Sequence, residues 1–277
     1  MMKHILLLLG ESSSSAVASA HARRLARESG IGITALSGVD EIFIEAPMPG
    51  TIGGAAYRAQ MEGGLKARAE KAQQQLTENF INDCTGDGIA PTTLSFHGDP
   101  VEAARAASAG CDLIVAGHDV TFRGLRSEST SDAVSQLLRT APRPVLICPD
   151  HVPPEGDVLV AYDGSVPAMR ALQLFVLIGS WSGRRVHVSS VDPDGDLAGR
   201  RAGMAASYLR LHGYEVDEHP IASTAPPAEV IEIQAAHSRI EVLVMGAYGH
   251  RGLKELLFGS TTQSIMGTPR SFVFLYH

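Results

Sequence analysis

Short apolar runs alternate along this chain with longer, alanine-rich stretches whose apolar residues recur at helical spacing. In the first half the runs fall at residues 5–9, 31–36, 92–96, 112–117 and 145–148, and each is bounded by glycine, proline or small polar residues. Between them the spacing predicts helices over 13–29, 55–84, 100–109 and 133–139, with a Pro/Gly-rich loop over 46–54. The segment His151-Val152-Pro153-Pro154-Glu155-Gly156 reads as a linker, and then the same order begins again. Strands are predicted at 158–162, 186–191, 214–218, 242–245 and 272–276, and helices at 167–179, 197–212, 228–237 and 261–266. Runs such as Val242-Leu243-Val244-Met245 do not alternate with polar residues, so both faces are expected to be buried, as in a parallel sheet. Strands alternating with helices imply right-handed crossovers and helices on both faces of the sheet.

The repeat is visible in residues as well as in order. Asp112-Leu113-Ile114-Val115-Ala116-Gly117 answers Glu241-Val242-Leu243-Val244-Met245-Gly246, Arg123-Gly124-Leu125 answers Arg251-Gly252-Leu253, and Ala141-Pro142-Arg143 answers Thr268-Pro269-Arg270. Two domains are expected, over residues 1–150 and 157–277.

Composition narrows the function. The net charge of −7 and the lack of any long Lys/Arg run argue against a nucleic-acid partner, and Arg23-Arg24 and Arg200-Arg201 read as solvated helix faces. Cys84, Cys111 and Cys148 form no CxxC pair and read as small buried hydrophobes in a reducing compartment. The start of the chain imitates a signal peptide, but its apolar core of five residues is shorter than the roughly 7–15 such a region needs. It is read as a first strand, and the protein as cytoplasmic. No stretch approaches transmembrane length, so no membrane partner is expected.

Candidate chemistry concentrates in one stretch. Gly246-Ala247-Tyr248-Gly249 follows the run 242–245, and nine residues later comes Gly259-Ser260-Thr261. A glycine at the C-terminal end of a parallel strand lets a ligand approach the main chain, and Gly249 can take the positive φ that curls a loop into a nest of N–H donors. Gly259-Ser260-Thr261 reads as a helix start, where free N–H groups and the helix dipole favour an anion. The hydroxyls, together with Arg251 in the same loop, suit a polyphosphate.

This Gly-x2-Gly-x9-Gly-Ser/Thr pattern is also the ATP loop of the universal stress protein family, which the chain resembles over nearly its whole length, as a tandem two-domain member. The resemblance is weakest over residues 39–60, where the first half carries an insertion. It implies two Rossmann-like domains of the adenine nucleotide α-hydrolase type, each a five-stranded parallel sheet. It also implies that Val145–Cys148 and Phe272–Tyr276 pair as antiparallel strands in an intrachain pseudo-dimer, and it allows a homodimer of tandem chains. ATP is the implied ligand, with any Mg²⁺ carried by its phosphates, and the implied role is a stress-response regulator or sensor with an unidentified protein partner.

Carried over residue by residue, the resemblance makes Asp163 the acidic group beside the nucleoside, a position at which a plain Asp-Gly turn is the alternative. Val191 falls where the family packs an apolar side chain on the adenine. Ala161, Tyr162 and Met245 line the pocket through their main chains. Gly246, Gly249, His250, Arg251, Gly259, Ser260, Thr261 and Thr262 make up the phosphate loop and helix start. Tyr248 departs from the histidine common there. In the first half Gly10 replaces the aspartate, the second and third loop glycines are missing, and Asp119, Glu128 and Asp132 would bring negative charge towards a phosphate, so no nucleotide is expected. A rival reading, an ATP-cleaving enzyme of a related fold, lacks the Ser-Gly-Gly-x-Asp-Ser, Gly-x4-Gly-Lys-Ser/Thr and His-Ile-Gly-His signatures. Another is a scaffold whose loop is vestigial. The loop's one carboxylate, Glu255, lies beside Lys254, and His250 reads as a phosphate contact rather than a base, so at most a weak ATPase is expected.

Overall fold

The apolar runs become strands because each can hide both faces only inside a sheet covered by helices. The computed structural model describes residues 2–46, 54–124, 131–247 and 260–277. They group into two compact units, Lys3–Pro142 and Arg143–His277 with the first two residues.

The unit Lys3–Pro142 runs β1 (His4–Leu8), α1 (Ser13–Ser29), β2 (Gly32–Asp40), α2 (Glu41–Ile44), α3 (Gly54–Gly86), β3 (Thr92–Gly98), α4 (Pro100–Ala107), a 3-10 turn, β4 (Leu113–Gly117) and α5 (Asp132–Thr140). Its strands lie in the order β3-β2-β1-β4 and are parallel, with Ile5 in register with both Ile33 and Leu113. Ser12 caps α1 and Gly30 ends it at φ 63, the left-handed conformation that closes a helix without a Cβ penalty. Asp99 caps α4, whose first residue is Pro100, as its missing N–H allows.

The unit Arg143–His277 runs β5 (Val145–Cys148), β6 (Asp157–Ala161), α6 (Val166–Ile178), β7 (Val186–Asp192), α7 (Gly195–Leu211), β8 (Val216–Ala222), α8 (Pro227–His237), β9 (Ile240–Gly246), α9 (Ser260–Gly267) and β10 (Phe272–Tyr276). Its order is β5-β10-β9-β6-β7-β8. All neighbours are parallel except β5 and β10, which pair antiparallel with Leu146 opposite Phe274. Val145–Cys148 and Phe272–Tyr276 thus meet as the resemblance implied, and the pairing places β5 in this unit although it precedes the linker.

Helices cover both faces of this second sheet. Phe274 meets Phe175 of α6 on one face, while its neighbour Val273 points to the other, where Ile231 of α8 and Ile265 of α9 lie. Phe175 is fully buried and stacks on Trp181 at 5.6 Å between centroids, with Tyr214 at 6.0 Å. Among the described residues no helix is long and apolar enough to cross a membrane. The three cysteines are buried, as expected of small apolar side chains, and burial pushes the Cys84 thiol up to about 11 and Cys148 higher still.

Three local features depart from the pattern. β8 continues through Pro220 to Ala222, which is tolerated because β8 is an edge strand and needs no N–H at that residue. β2 runs four residues past the predicted end, drawn out by its pairing to β3 as far as Asp40 opposite Gly98. The short α2, capped by Asp40, carries no sequence signal of its own and stands on Ile44, which packs with Val39 and Ala69.

Replacing Phe175 by alanine removes the centre of this aromatic cluster and should destabilise the second unit by about 3–5 kcal/mol. Trp181, the only tryptophan, reports on it directly, so the urea midpoint followed by its fluorescence should fall. A midpoint unchanged from wild type would contradict this packing.

Candidate nucleotide site

In the second unit the chain leaves β6 towards β7 and β8 on one side and returns to β9 and β10 on the other. The β6/β9 boundary is therefore a topological switch point, and the crevice at the carboxyl ends of these strands is where doubly wound sheets hold ligands. Register brings the ends together, since Ala161 is level with Ser189 on β7 and with Met245 on β9. Asp163 lies two residues past the end of β6, Val191 is the penultimate residue of β7, and Gly246 ends β9.

The turn after β6 is built by side chains. Asp163 Oδ1 accepts from the Ser165 backbone N–H at 2.9 Å, and Ser165 Oγ accepts from Ala168 N–H at 3.2 Å, capping α6. Gly164 adopts φ 77, so the turn needs a residue without a Cβ there. One Asp163 oxygen is used by the turn. Among the described residues nothing takes the other, and the side chain is half-exposed.

Gly246 has a packing role. A Cβ there would lie 2.5 Å from Ala168 N and 2.7 Å from the Pro167 carbonyl carbon, so its missing side chain makes room for the first turn of α6. The sequence offers this glycine as a point of ligand approach, and its Cβ side is taken by α6. Ala247 N–H then donates to Tyr276 O at 2.8 Å, holding the start of the loop to β10.

The remaining expected residues divide clearly. Ala161 and Val191 are partly accessible, whereas Met245 and the Tyr162 side chain are buried. Tyr162 N–H donates to Ser189 O at 2.8 Å, and burial followed by the neighbouring Asp163 charge raises its hydroxyl pKa. Ser260 opens α9, Thr261 is partly exposed and Thr262 is buried. Gly249, His250, Arg251 and Gly259 lie outside the described residues, as do Tyr248, Lys254 and Glu255.

Sequence reasoning missed four residues. Arg201 of α7 is not a solvated cation. Its Nη1 meets Asp192 Oδ2 at 2.8 Å, its side chain is mostly buried, and its Nε would lie 3.3 Å from a Cβ at Gly164, so it lies across the end of β6. Asp192 anchors it just beyond Val191. Ser189 and Ser190 are buried, and their hydroxyls have no partner among the described residues. Only position relative to Val191 in β7 could have flagged the serines, and nothing in the spacing links Arg201 to Asp192.

The first unit fills the corresponding crevice with its own side chains. A Cβ at Gly10 would lie 2.5 Å from Ser15 Oγ and 2.9 Å from Val120 Cγ2, so an aspartate has no room there. Asp119 is buried, accepts from Ser12 Oγ at 2.5 Å and also bonds the Ser14 hydroxyl, so its charge is held at the first turn of α1. Those two serines hold the Asp119 carboxylate at the helix start, where a phosphate would meet like charge. Glu128 lies outside the described residues, and Asp132 sits in the first turn of α5. Arg123 Nε pairs with the buried Asp40 at 2.9 Å and stacks over Phe43 at 3.6 Å. Phe122 takes φ 59 and packs edge-on against Phe96, while Ala69, Gln73 and Leu76 of α3 close the crevice from above. A cavity of about 20 Å³ remains, room for water and not for a nucleoside.

These features define a tandem, doubly wound α/β protein with a filled crevice in its first half. The universal stress protein family model matches residues 1–149 and again 156–270, and the chain belongs to that family. Universal stress protein Slr1230 of Synechocystis sp. is 28% identical over 160 residues, and the match covers 53% of this chain and 54% of the relative, so the chain spans about half the length of that curated protein. A universal stress protein from Archaeoglobus fulgidus has the same fold, with a TM-score of 0.69 at 21% identity over 99% of this chain and 97% of that one. A functionally unknown protein from Pseudomonas aeruginosa PAO1 gives a TM-score of 0.62 at 17% identity, over 99% and 92% of the two chains.

Substituting alanine for Gly246 should press α6 away from β9 and destabilise the second unit by about 1–3 kcal/mol. Urea unfolding followed by Trp181 fluorescence checks this, and a wild-type midpoint would contradict the close approach.

Proposed function

We propose that the chain is a cytoplasmic stress-response regulator that binds one ATP, in its second half, and turns it over slowly if at all. The observation that carries the reading is Asp163, half-exposed at the switch point, with one oxygen spent on its own turn and the other without a partner among the described residues. That oxygen can accept a hydrogen bond from a ribose hydroxyl or the adenine amino group. The accessible Val191 offers an apolar contact beside it, and the buried Ser189 hydroxyl, on the same face of β7, suits a polar edge of the base. The glycine pattern beginning at Gly246 and ending at Gly259-Ser260-Thr261 supplies backbone and hydroxyl donors for the phosphates, with His250 and Arg251 as further contacts and any Mg²⁺ brought by the phosphates themselves. The first half is sterically and electrostatically unsuited to the same ligand.

Calorimetric titration with ATP should give one site per chain. Asp163→Ala removes a charged hydrogen-bond acceptor and should weaken binding about 10- to 100-fold, and Gly259→Asp should abolish it by placing a carboxylate beside the phosphates. Two equivalent sites, or full affinity in Asp163→Ala, would contradict the reading.

Hydrolysis needs an oriented nucleophile, and Asp163 sits at the nucleoside end, away from the γ-phosphate. Steady-state phosphate release at saturating ATP should therefore fall orders of magnitude below the typical enzymatic rate of roughly 10 s⁻¹. A rate in the ordinary range that vanished in His250→Ala or Glu255→Ala would make the protein an enzyme instead.

A further inference from the structure

Two histidines and two aspartates meet on one face of the second sheet, near the amino ends of its strands and away from the nucleotide crevice. Asp157 opens β6, His187 is the second residue of β7, and Asp217 and His219 are the second and fourth of β8. The register pairs His187 with both Leu159 and Asp217, so alternation places all four side chains on the same face. His187 Nε2 lies 3.0 Å from Asp157 Oδ2, and His187 Nδ1 lies 3.0 Å from His219 Nε2 and 3.8 Å from Asp217 Oδ2.

From this arrangement we propose that His187, His219 and Asp217 form a site for a divalent transition-metal cation of the zinc type, with Asp157 orienting His187. The Asp157 carboxylate holds the His187 proton on Nε2 and so leaves the Nδ1 lone pair facing His219, as carboxylate–histidine–metal triads do. Two nitrogens each about 2.0–2.1 Å from a tetrahedral zinc stand about 3.3 Å apart. The observed 3.0 Å therefore needs to open by only a few tenths of an ångström. Without metal, one imidazole donates to the other. With metal, the His219 proton sits on Nδ1, a change of tautomer within the neutral ring that frees Nε2 as a ligand.

Asp217 already lies 3.8 Å from His187 Nδ1, and its side chain, 43% exposed, is free to turn towards the pair and complete the set. It now pairs with Arg185 at 3.2 Å, but Arg185 also holds Glu215 at 2.6 Å and keeps that partner when Asp217 turns. An exposed pair of this kind contributes little to stability, so its loss opposes binding weakly. Asp157, at 40% exposure, leaves the cluster open to solvent for entry of the ion. A surface-open fourth position suits a water ligand.

Titration of the nucleotide-free full chain with Zn²⁺ and with Co²⁺ tests the proposal. One ion per chain should bind at this site, and Co²⁺ should develop visible bands of a four- or five-coordinate nitrogen–oxygen site. His187→Gln and His219→Gln should each weaken binding at least about 100-fold and remove the bands. Asp217→Asn, an exposed change that leaves the fold intact, should weaken it too, and Asp157→Asn should weaken it about 10- to 100-fold through the lost orientation of His187. Trp181 fluorescence confirms that each variant is folded. Absence of binding to the wild type, or binding left undiminished by His219→Gln and Asp217→Asn, would overturn the site.

Discussion

In each unit the backbone of a helix presses against the glycine that ends a strand. In the second unit the backbone at Pro167–Ala168 comes within 2.7 Å of where a Gly246 side chain would start. In the first unit Ser15 N lies 2.6 Å from the same point at Gly117. Both contacts join the helix that follows the first strand to the end of the fourth strand. They tie together the two sides of the topological switch, where a doubly wound sheet offers its crevice. The N-terminal turn of that helix, the turn before it and the residue that follows the glycine are all placed by this contact. A Cβ at either glycine would separate them.

The two halves use the same frame in opposite ways. In the first, the place beside the helix is taken by Asp119 with its two serines, and the strand ends are clasped by Arg123 on Asp40 and Phe43 under α3. These partners are mutually satisfied, and displacing them for a phosphate would bring an anion to a buried carboxylate. In the second half the arginine at the strand ends comes from α7 instead, as Arg201 on Asp192, and Asp163 keeps an oxygen free of its own turn. That difference is the physical basis of the proposal that the chain takes one nucleotide.

Much of the fold was legible because a parallel sheet writes itself as unbroken apolar runs, and the repeat of Asp112–Gly117 in residues 241–246 doubled the signal. Strand and helix boundaries moved by a few residues where pairing, rather than composition, decides them, as at β2 and β8. The candidate site could be read only from local chemistry, as at the Asp163 turn. It was not legible where two side chains distant in sequence find each other. Arg201 with Asp192, Asp119 with Ser12 and Ser14, and the His187–His219 pair are all tertiary choices that no spacing reveals. At Gly246 the missing Cβ makes room for α6, a neighbour that the sequence alone does not identify.

Photolabelling with 8-azido-ATP locates the adenine directly and tests whether only the second half receives a nucleotide. After irradiation, proteolysis and mass spectrometry, label is expected in peptides from residues 157–277, centred on Asp163 and Val191, and competed by ATP. Label of equal yield in peptides from residues 3–142 would contradict it.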